Sequence, residues 1–270
     1  MPAAEDPYAS ACQGLLESLG CAFRSLQIPA CTRLLGPLVP GATLTQGARV
    51  PGTSYELDPA MAAFNLGTMM GWSGCRGYPA DKLAAILPVA DYLARKAHNE
   101  ARAPLCVRDV LAAMIEAQRI RHQWAAAAVV TRLLGGSPRQ IAIALCADRH
   151  PALAAPAGRW AAGEAAARAV RLAFVAINAD PSDEAVLHAS AAPAPAMPET
   201  PGADGTGADG TGADGARGDG AAGPLDLFAD SVAGHFPAAQ VALIRSRIAN
   251  RATLITMPVH EFIALLVKNG

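Results

Sequence analysis

At 270 residues, with 52% of them hydrophobic, the chain is long enough for one large domain or two small ones and apolar enough to bury a proper core. Ala, Leu and Val supply that share while aromatic residues make up 5%, a balance that favours helices. With 22 Lys and Arg against 23 Asp and Glu, a net charge of −1 and no basic run, nucleic acid is excluded as an expected partner.

Helical signals run from the start to about Asn178. Asp58-Pro59 before Ala60, Met61, Ala62, Ala63 and Phe64 reads as an N-cap acid, a first-turn proline and an apolar run, and Ser137-Pro138 before Arg139 to Leu145 repeats the device. Asp81 to His98 carries Leu83, Ile86, Leu87, Ala90, Leu93 and Ala94 at three-four spacing, which predicts one buried face. Val107 to Arg121 puts Val110, Leu111, Met114 and Ile115 inward and Arg108, Arg119 and Arg121 outward, then runs on into Trp124 and an alanine run. Trp160 to Ile177 is a further amphipathic helix. Between Gly36 and Gly52, prolines and glycines forbid a helix; an ordered loop is expected, with a short strand near Ala42 to Leu44.

From Ser190 to Gly223 the composition collapses into Ala, Pro, Gly and Asp, with three copies of Gly-Ala-Asp-Gly at Gly202, Gly207 and Gly212. Such a segment cannot offset its ordering entropy and reads as a disordered linker; the repeat lacks the large apolar residue of a calcium-binding roll. Short helices are expected over Leu225 to Val232, Ala238 to Asn250 and Pro258 to Val267. The organisation is therefore a helical domain over 1–189, a linker over 190–223 and helices over 224–270 that complete the domain, mainly α as a fold class.

Six widely spaced cysteines form no CxxC pair, so a zinc ribbon or redox motif is not expected and reduced core thiols are. No apolar run approaches the roughly 18 residues of a membrane span, and the acidic N-terminus fits neither a signal nor a transit peptide. A soluble, intracellular protein is expected.

Several segments resemble the MmgE/PrpD family, most closely its 2-methylcitrate dehydratase branch. They are Pro29 to Pro37 (PACTRLLGP), Ala48 to Ser54 (ARVPGTS), Leu57-Asp58-Pro59 with Ala62 to Met69, Val89 to Ala97 (VADYLARKA), Ala103-Pro104-Leu105 with Val110 to Ile115, Trp160 to Gly163 with Arg168 to Ala173, His235-Phe236-Pro237, and Met257 to Phe262 (MPVHEF). The resemblance implies an all-helical domain, with the family's second, α/β domain largely missing and its place taken by the linker.

It also implies a reaction: dehydration of 2-methylcitrate to 2-methylaconitate in propionate breakdown, by general acid–base chemistry with no metal and no cofactor. The substrate would be a small tricarboxylic acid; no membrane partner is implied, a homodimer is left open, and the compartment would be the cytoplasm, or the mitochondrial matrix in a eukaryote. The pattern is broken, however, where that chemistry belongs. Family members place an acidic motif and a His-Pro-Ser-Asp turn after the tryptophan equivalent to Trp72; here Ser73 to Ala80 follow, and Tyr78 stands where the histidine belongs. After Arg121 a polar segment with a histidine is missing, and the family lysine two residues before Trp160 is Gly158, with Arg159 one place off.

The surviving candidates are Tyr78, Asp81 and His150 as catalytic groups, and Arg149 and Arg159 as substrate-binding cations. Each has a plainer reading: Tyr78 is a poor base because an ordinary phenol titrates near 10, Asp81 caps the helix that follows, and Arg149 and His150 are solvated loop residues. His98 and His122 suit helix ends, while His235 and His260 have no visible partner in sequence. Three readings follow: an impaired dehydratase, a helical scaffold or dimerisation remnant without turnover, or an incomplete reading frame of an active enzyme. The related decarboxylase branch matches the quoted segments less well.

Overall fold

A computed structural model describes residues 7–74, 78–120, 125–148, 158–179 and 223–268. In chain order the helices are α1 (Pro7–Ser25), α2 (Pro29–Thr32), α3 (Pro59–Trp72), α4 (Ala80–Asn99), α5 (Val107–Arg119), α6 (Ala125–Leu133), α7 (Pro138–Asp148), α8 (Ala161–Asn178), α9 (Pro224–Ala233), α10 (Ala238–Ala249), α11 (Arg251–Thr256) and α12 (Val259–Leu265). The mainly α expectation holds. Two short strands, β1 (Ala48–Arg49) and β2 (Glu56–Leu57), pair antiparallel with Ala48 opposite Leu57. The linker over 190–222 lies outside the described residues.

Helix α3 is the hub. Ala62, Ala63, Leu66, Met69 and Met70 are all buried, because α3 packs against α1, α4 and α8. It starts as the sequence predicts: Asp58 Oδ1 accepts the N–H groups of Ala60 and Met61, each at 3.0 Å, and Pro59 fills the first turn, where no hydrogen bond is lost. The Ser137 device works likewise, with Ser137 Oγ accepting from the Gln140 N–H and the Gln140 side chain accepting the Ser137 N–H at 2.9 Å.

The crossing of α3 and α8 is the closest in the molecule's centre. A Cβ on Gly67 would lie 2.7 Å from Gly163 Cα and 2.8 Å from the Ala162 carbonyl oxygen, so the two backbones touch where only hydrogen fits between them.

The C-terminal helices return to the first half of the chain. Phe23 of α1, fully buried, meets Phe228 edge-on at 6.1 Å between ring centroids and Phe236 at 5.7 Å. This aromatic cluster holds α9 on α1, and truncating such a ring costs about 3–5 kcal/mol. Farther on, the Val107 N–H donates to the Met257 carbonyl and the Val259 N–H to the Leu105 carbonyl, both at 2.9 Å, joining the start of α5 to the start of α12.

Four expectations need correction. Residues 42–44 are not a strand: the Leu44 N–H does bond the Glu56 carbonyl, but Gln46, with φ of 63°, turns the chain so that the ladder begins at Ala48. The helix predicted to run through Trp124 ends at Arg119, because Ile120 is extended; a separate helix starts at Ala125. Asp81 is not the N-cap of α4. Pro79 holds that place and Asp81 sits inside the first turn, where its charge suits the helix dipole. Finally, Cys21 is engaged in a disulfide, while Cys12, Cys31 and Cys106 are free. Spacing along a chain does not reveal which cysteines meet in space. Among the free thiols, burial pushes Cys31 up to about 11, an inert core group. No helix among the described residues is long and apolar enough to cross a membrane.

Candidate functional site

Three of the predicted residues, Tyr78, Asp81 and Arg159, lie about one feature, the connection from the end of α3 to the start of α4. Tyr78 enters the core there. It is 5% exposed, and its hydroxyl donates to the Met114 carbonyl of α5 at 2.7 Å. Ser18 of α1 clasps its backbone, its hydroxyl donating to the Tyr78 carbonyl at 3.3 Å and accepting the Tyr78 N–H at 3.2 Å. Burial, with the neighbouring Asp81 charge, pushes the phenol well above its ordinary range. A group in that state is a donor already committed to a carbonyl, not a proton acceptor.

Asp81 lies beside it. Burial pushes its carboxyl up, against the pull of the Lys82 charge and the N–H groups of Asp81 and Lys82. Lys82 itself reaches over to donate to the Ala117 carbonyl at 2.9 Å, so the first turn of α4 is tied to α5 by both Tyr78 and Lys82.

Arg159 arrives from the other side. It precedes α8, whose start is fixed by the Gly67–Gly163 contact, and it donates to the Trp72 carbonyl at 3.3 Å with its guanidinium 5.6 Å from the Trp72 ring centroid. The side chain is exposed, so its charge is available to an anion. Arg149 and His150 lie outside the described residues. A cavity of about 360 Å³ opens beside the same connection, lined by Cys21, Arg24, Ser73, Gly74 and Phe228 among others, and neither Tyr78, Asp81 nor Arg159 lines it.

A second constellation was missed in the sequence. Asp91 of α4, with its side chain 1% exposed, accepts from Arg49 three times: from the backbone N–H at 2.9 Å, from Nε at 3.2 Å and from Nη2 at 2.6 Å. Arg49 also donates to the His260 carbonyl at 2.5 Å, and the His260 ring stands 4.7 Å from that of His98. Burial, then the neighbouring His98, pushes the His260 imidazole down. Arg95 completes the belt, pairing with Glu56 at 2.9 Å and donating to the Gly47 carbonyl at 2.5 Å. The signal was a buried-face Asp in Val89 to Ala97 and a lone Arg in Ala48 to Ser54. Nothing local in either run announces the other.

These ties join segments far apart in the chain that carry the family resemblance. Arg49 lies in the Ala48 to Ser54 run, Asp91 and Arg95 in Val89 to Ala97, His260 in Met257 to Phe262. Asn65 exchanges hydrogen bonds with the backbone of Gly36 at 2.6 and 3.0 Å, joining Ala62 to Met69 with Pro29 to Pro37.

Comparison with known proteins agrees with that pattern: residues 3–123 match the MmgE/PrpD N-terminal domain. That stretch, a little under half of the chain, is thus similar to an MmgE/PrpD N-terminal domain. Curated relatives extend the match beyond it. The chain is 38% identical over 206 residues to 2-methylcitrate dehydratase of Escherichia coli, covering 63% of this chain and 43% of that protein. It is 37% identical over 219 residues to 2-methylcitrate dehydratase of Cupriavidus necator, covering 67% and 45% respectively. It is also 34% identical over 198 residues to the mitochondrial 2-methylcitrate dehydratase of Yarrowia lipolytica, covering 59% and 38%. The chain thus spans less than half the length of these relatives. The ion-pair belt, the Asn65 clasp and the Gly67 contact are packing devices that start within residues 3–123, and the belt and the Gly67 contact reach beyond them to His260 and Gly163, while Tyr78 and Asp81 mark the start of α4.

Proposed function

We propose that this chain supplies the helical part of a 2-methylcitrate dehydratase-type hydro-lyase, and that the 270 residues alone turn over 2-methylcitrate at no more than a residual rate. The reaction needs a base for a carbon-bound proton, an acid for the departing hydroxyl and cations for the carboxylates. The observation that carries the reading is Tyr78: the phenol at the family histidine's place is held in the core by Met114 and is pushed away from the range of a neutral-pH base. Arg159, exposed and anchored on Trp72, is the described cation best placed to meet a carboxylate. Asp81 and the outlying Arg149 and His150 complete the candidate set. Losing one general acid or base removes about 10² to 10⁴ in rate, and losses within one catalytic unit do not simply add.

In this reading the substrate is a small tricarboxylic acid, residues 190–223 are a linker, and the chain works in the cytoplasm, or in the mitochondrial matrix of a eukaryote. Calorimetric titration of 2-methylcitrate tests the substrate assignment. Binding that weakens in Arg159→Ala and persists in Tyr78→Phe is the expected result; binding lost in Tyr78→Phe but untouched in Arg159→Ala would refute it.

A further inference from the structure

A cavity of about 270 Å³ lies away from the α3–α4 connection, where the chain after α1, helix α2, the β1–β2 turn and the end of the chain's last described segment meet. Its lining includes Thr32, Ser54, Tyr55, His235 and Lys268, with Leu26 and Leu35 supplying apolar wall. None of its described lining residues is acidic. We propose that this cavity is a binding site for a small oxyanion, a carboxylate or phosphate, held by the Lys268 ammonium and the hydroxyls of Ser54 and Tyr55 above His235.

The site is built rather than incidental. The Gly52 N–H donates to the Leu266 carbonyl at 2.6 Å and the Lys268 N–H to the Thr53 carbonyl at 3.0 Å, so the backbone that carries Lys268 is laced to the β1–β2 turn on one side of the cavity. Gly52 makes that lacing feasible. Its φ is +80°, and a Cβ there would press on Leu26 and Phe23. Thr53 is already spent, donating to the Val50 carbonyl at 2.9 Å and accepting the Tyr55 N–H at 3.1 Å, which leaves the adjoining hydroxyls of Ser54 and Tyr55 for a ligand.

Charge decides the ligand class. Lys268 stands beside an imidazole that bonds the Phe23 carbonyl and whose Nε2 is buried without a partner. Burial pushes His235 down against the pull of the Phe23 hydrogen bond, and the Lys268 charge adds to the shift; among the described lining residues there is no acid to offset that positive charge. An anion seated beside them offsets the Lys268 charge and draws a proton onto Nε2, which then donates to it. At about 270 Å³ the space is below the 300–1,000 Å³ typical of drug-sized ligands, which suits an inorganic anion or a short carboxylic acid.

The test uses the whole chain, with its histidine ring signals followed by NMR through a pH titration in sodium chloride, inorganic phosphate and citrate at matched ionic strength. Phosphate or citrate should raise the His235 titration midpoint relative to chloride, and the arm with the larger shift names the anion. In Lys268→Gln, an exposed position with little bearing on folding, binding should weaken by at least about tenfold, as expected for a charge-assisted hydrogen bond. Equal midpoints in all three salts, or unchanged anion affinity in Lys268→Gln, would overturn the proposal. Thermal midpoints recorded alongside separate lost binding from lost folding.

Discussion

Replacing Gly67 by alanine tests the centre of the fold. In an open helix this change stabilises by about 1 kcal/mol, since alanine is the better helix former. Here the new Cβ meets three backbone atoms of one peptide unit: Gly163 Cα at 2.7 Å, and the Ala162 oxygen and Gly163 nitrogen at 2.8 Å. Backbone cannot rotate away as a side chain can. To bring the nearest contact from 2.7 Å to an ordinary 3.4 Å, α3 and α8 must part by about 0.7 Å, opening gaps along their whole interface. Overpacking of this kind costs about 1–3 kcal/mol, and a backbone obstacle places it at the upper end, so the net loss should be about 2 kcal/mol. Gly14→Ala in α1 is the control: its Cβ would meet the Tyr78 Cβ at 3.4 Å, an ordinary contact, and the variant should match or slightly exceed the parent. Urea unfolding followed by far-ultraviolet circular dichroism measures both. A Gly67→Ala variant as stable as Gly14→Ala would refute the close crossing and, with it, the positioning of Arg159 against Trp72.

Tyr78→Phe removes a buried hydroxyl bonded to Met114 and should cost about 1 kcal/mol in the same urea assay, the usual net worth of one such bond. Arg49→Met leaves the Asp91 carboxylate buried without its partner and should cost about 3–5 kcal/mol, read as a drop in the unfolding midpoint; a loss below 1 kcal/mol would mean that water replaces the guanidinium. Acidification should also remove the stability that two histidines contribute. His260 and His235 are both pushed down by burial, so below the ordinary histidine pKa near 6.5 the unfolded chain takes up protons that the folded one refuses. Their contribution is therefore present above that pH and falls away beneath it until the folded values are passed. Asp81 and Asp91, whose carboxyls burial pushes up, act in the opposite sense, so the histidine contribution is read by difference: between pH 7.5 and about 5 the urea midpoint of the parent should fall relative to that of His260→Gln.

The sequence was most legible where structure is local. Asp58-Pro59 and Ser137-Pro138 announce helix starts because a cap and its N–H groups are two or three residues apart. The faces of α4 and α5 follow from spacing alone. What stayed hidden depends on contacts across the chain. Arg49 and Asp91, or His98 and His260, look unremarkable until β1, α4 and α12 meet, and the disulfide at Cys21 has no spacing signature. The end of α5 at Ile120 was masked by a run of helix-compatible residues on both sides. For the candidate site, Arg159 is exposed and anchored on Trp72, while Tyr78, singled out because it stands at a histidine's place in the resemblance, turns inward. Substitution at a motif position identifies which residue changed, and only the surroundings reveal that the new side chain has become part of the core.

The most direct test of the central claim is a turnover measurement. The purified 270-residue chain is mixed with 2-methylcitrate and formation of 2-methylaconitate is followed by ultraviolet absorbance, with circular dichroism to establish that the protein is folded. We expect a folded chain and at most a trace rate that Tyr78→Phe leaves unchanged. Robust turnover that Tyr78→Phe or His150→Ala abolishes would contradict the account, because it would show that a phenol bound to the Met114 carbonyl, or His150, still performs the chemistry.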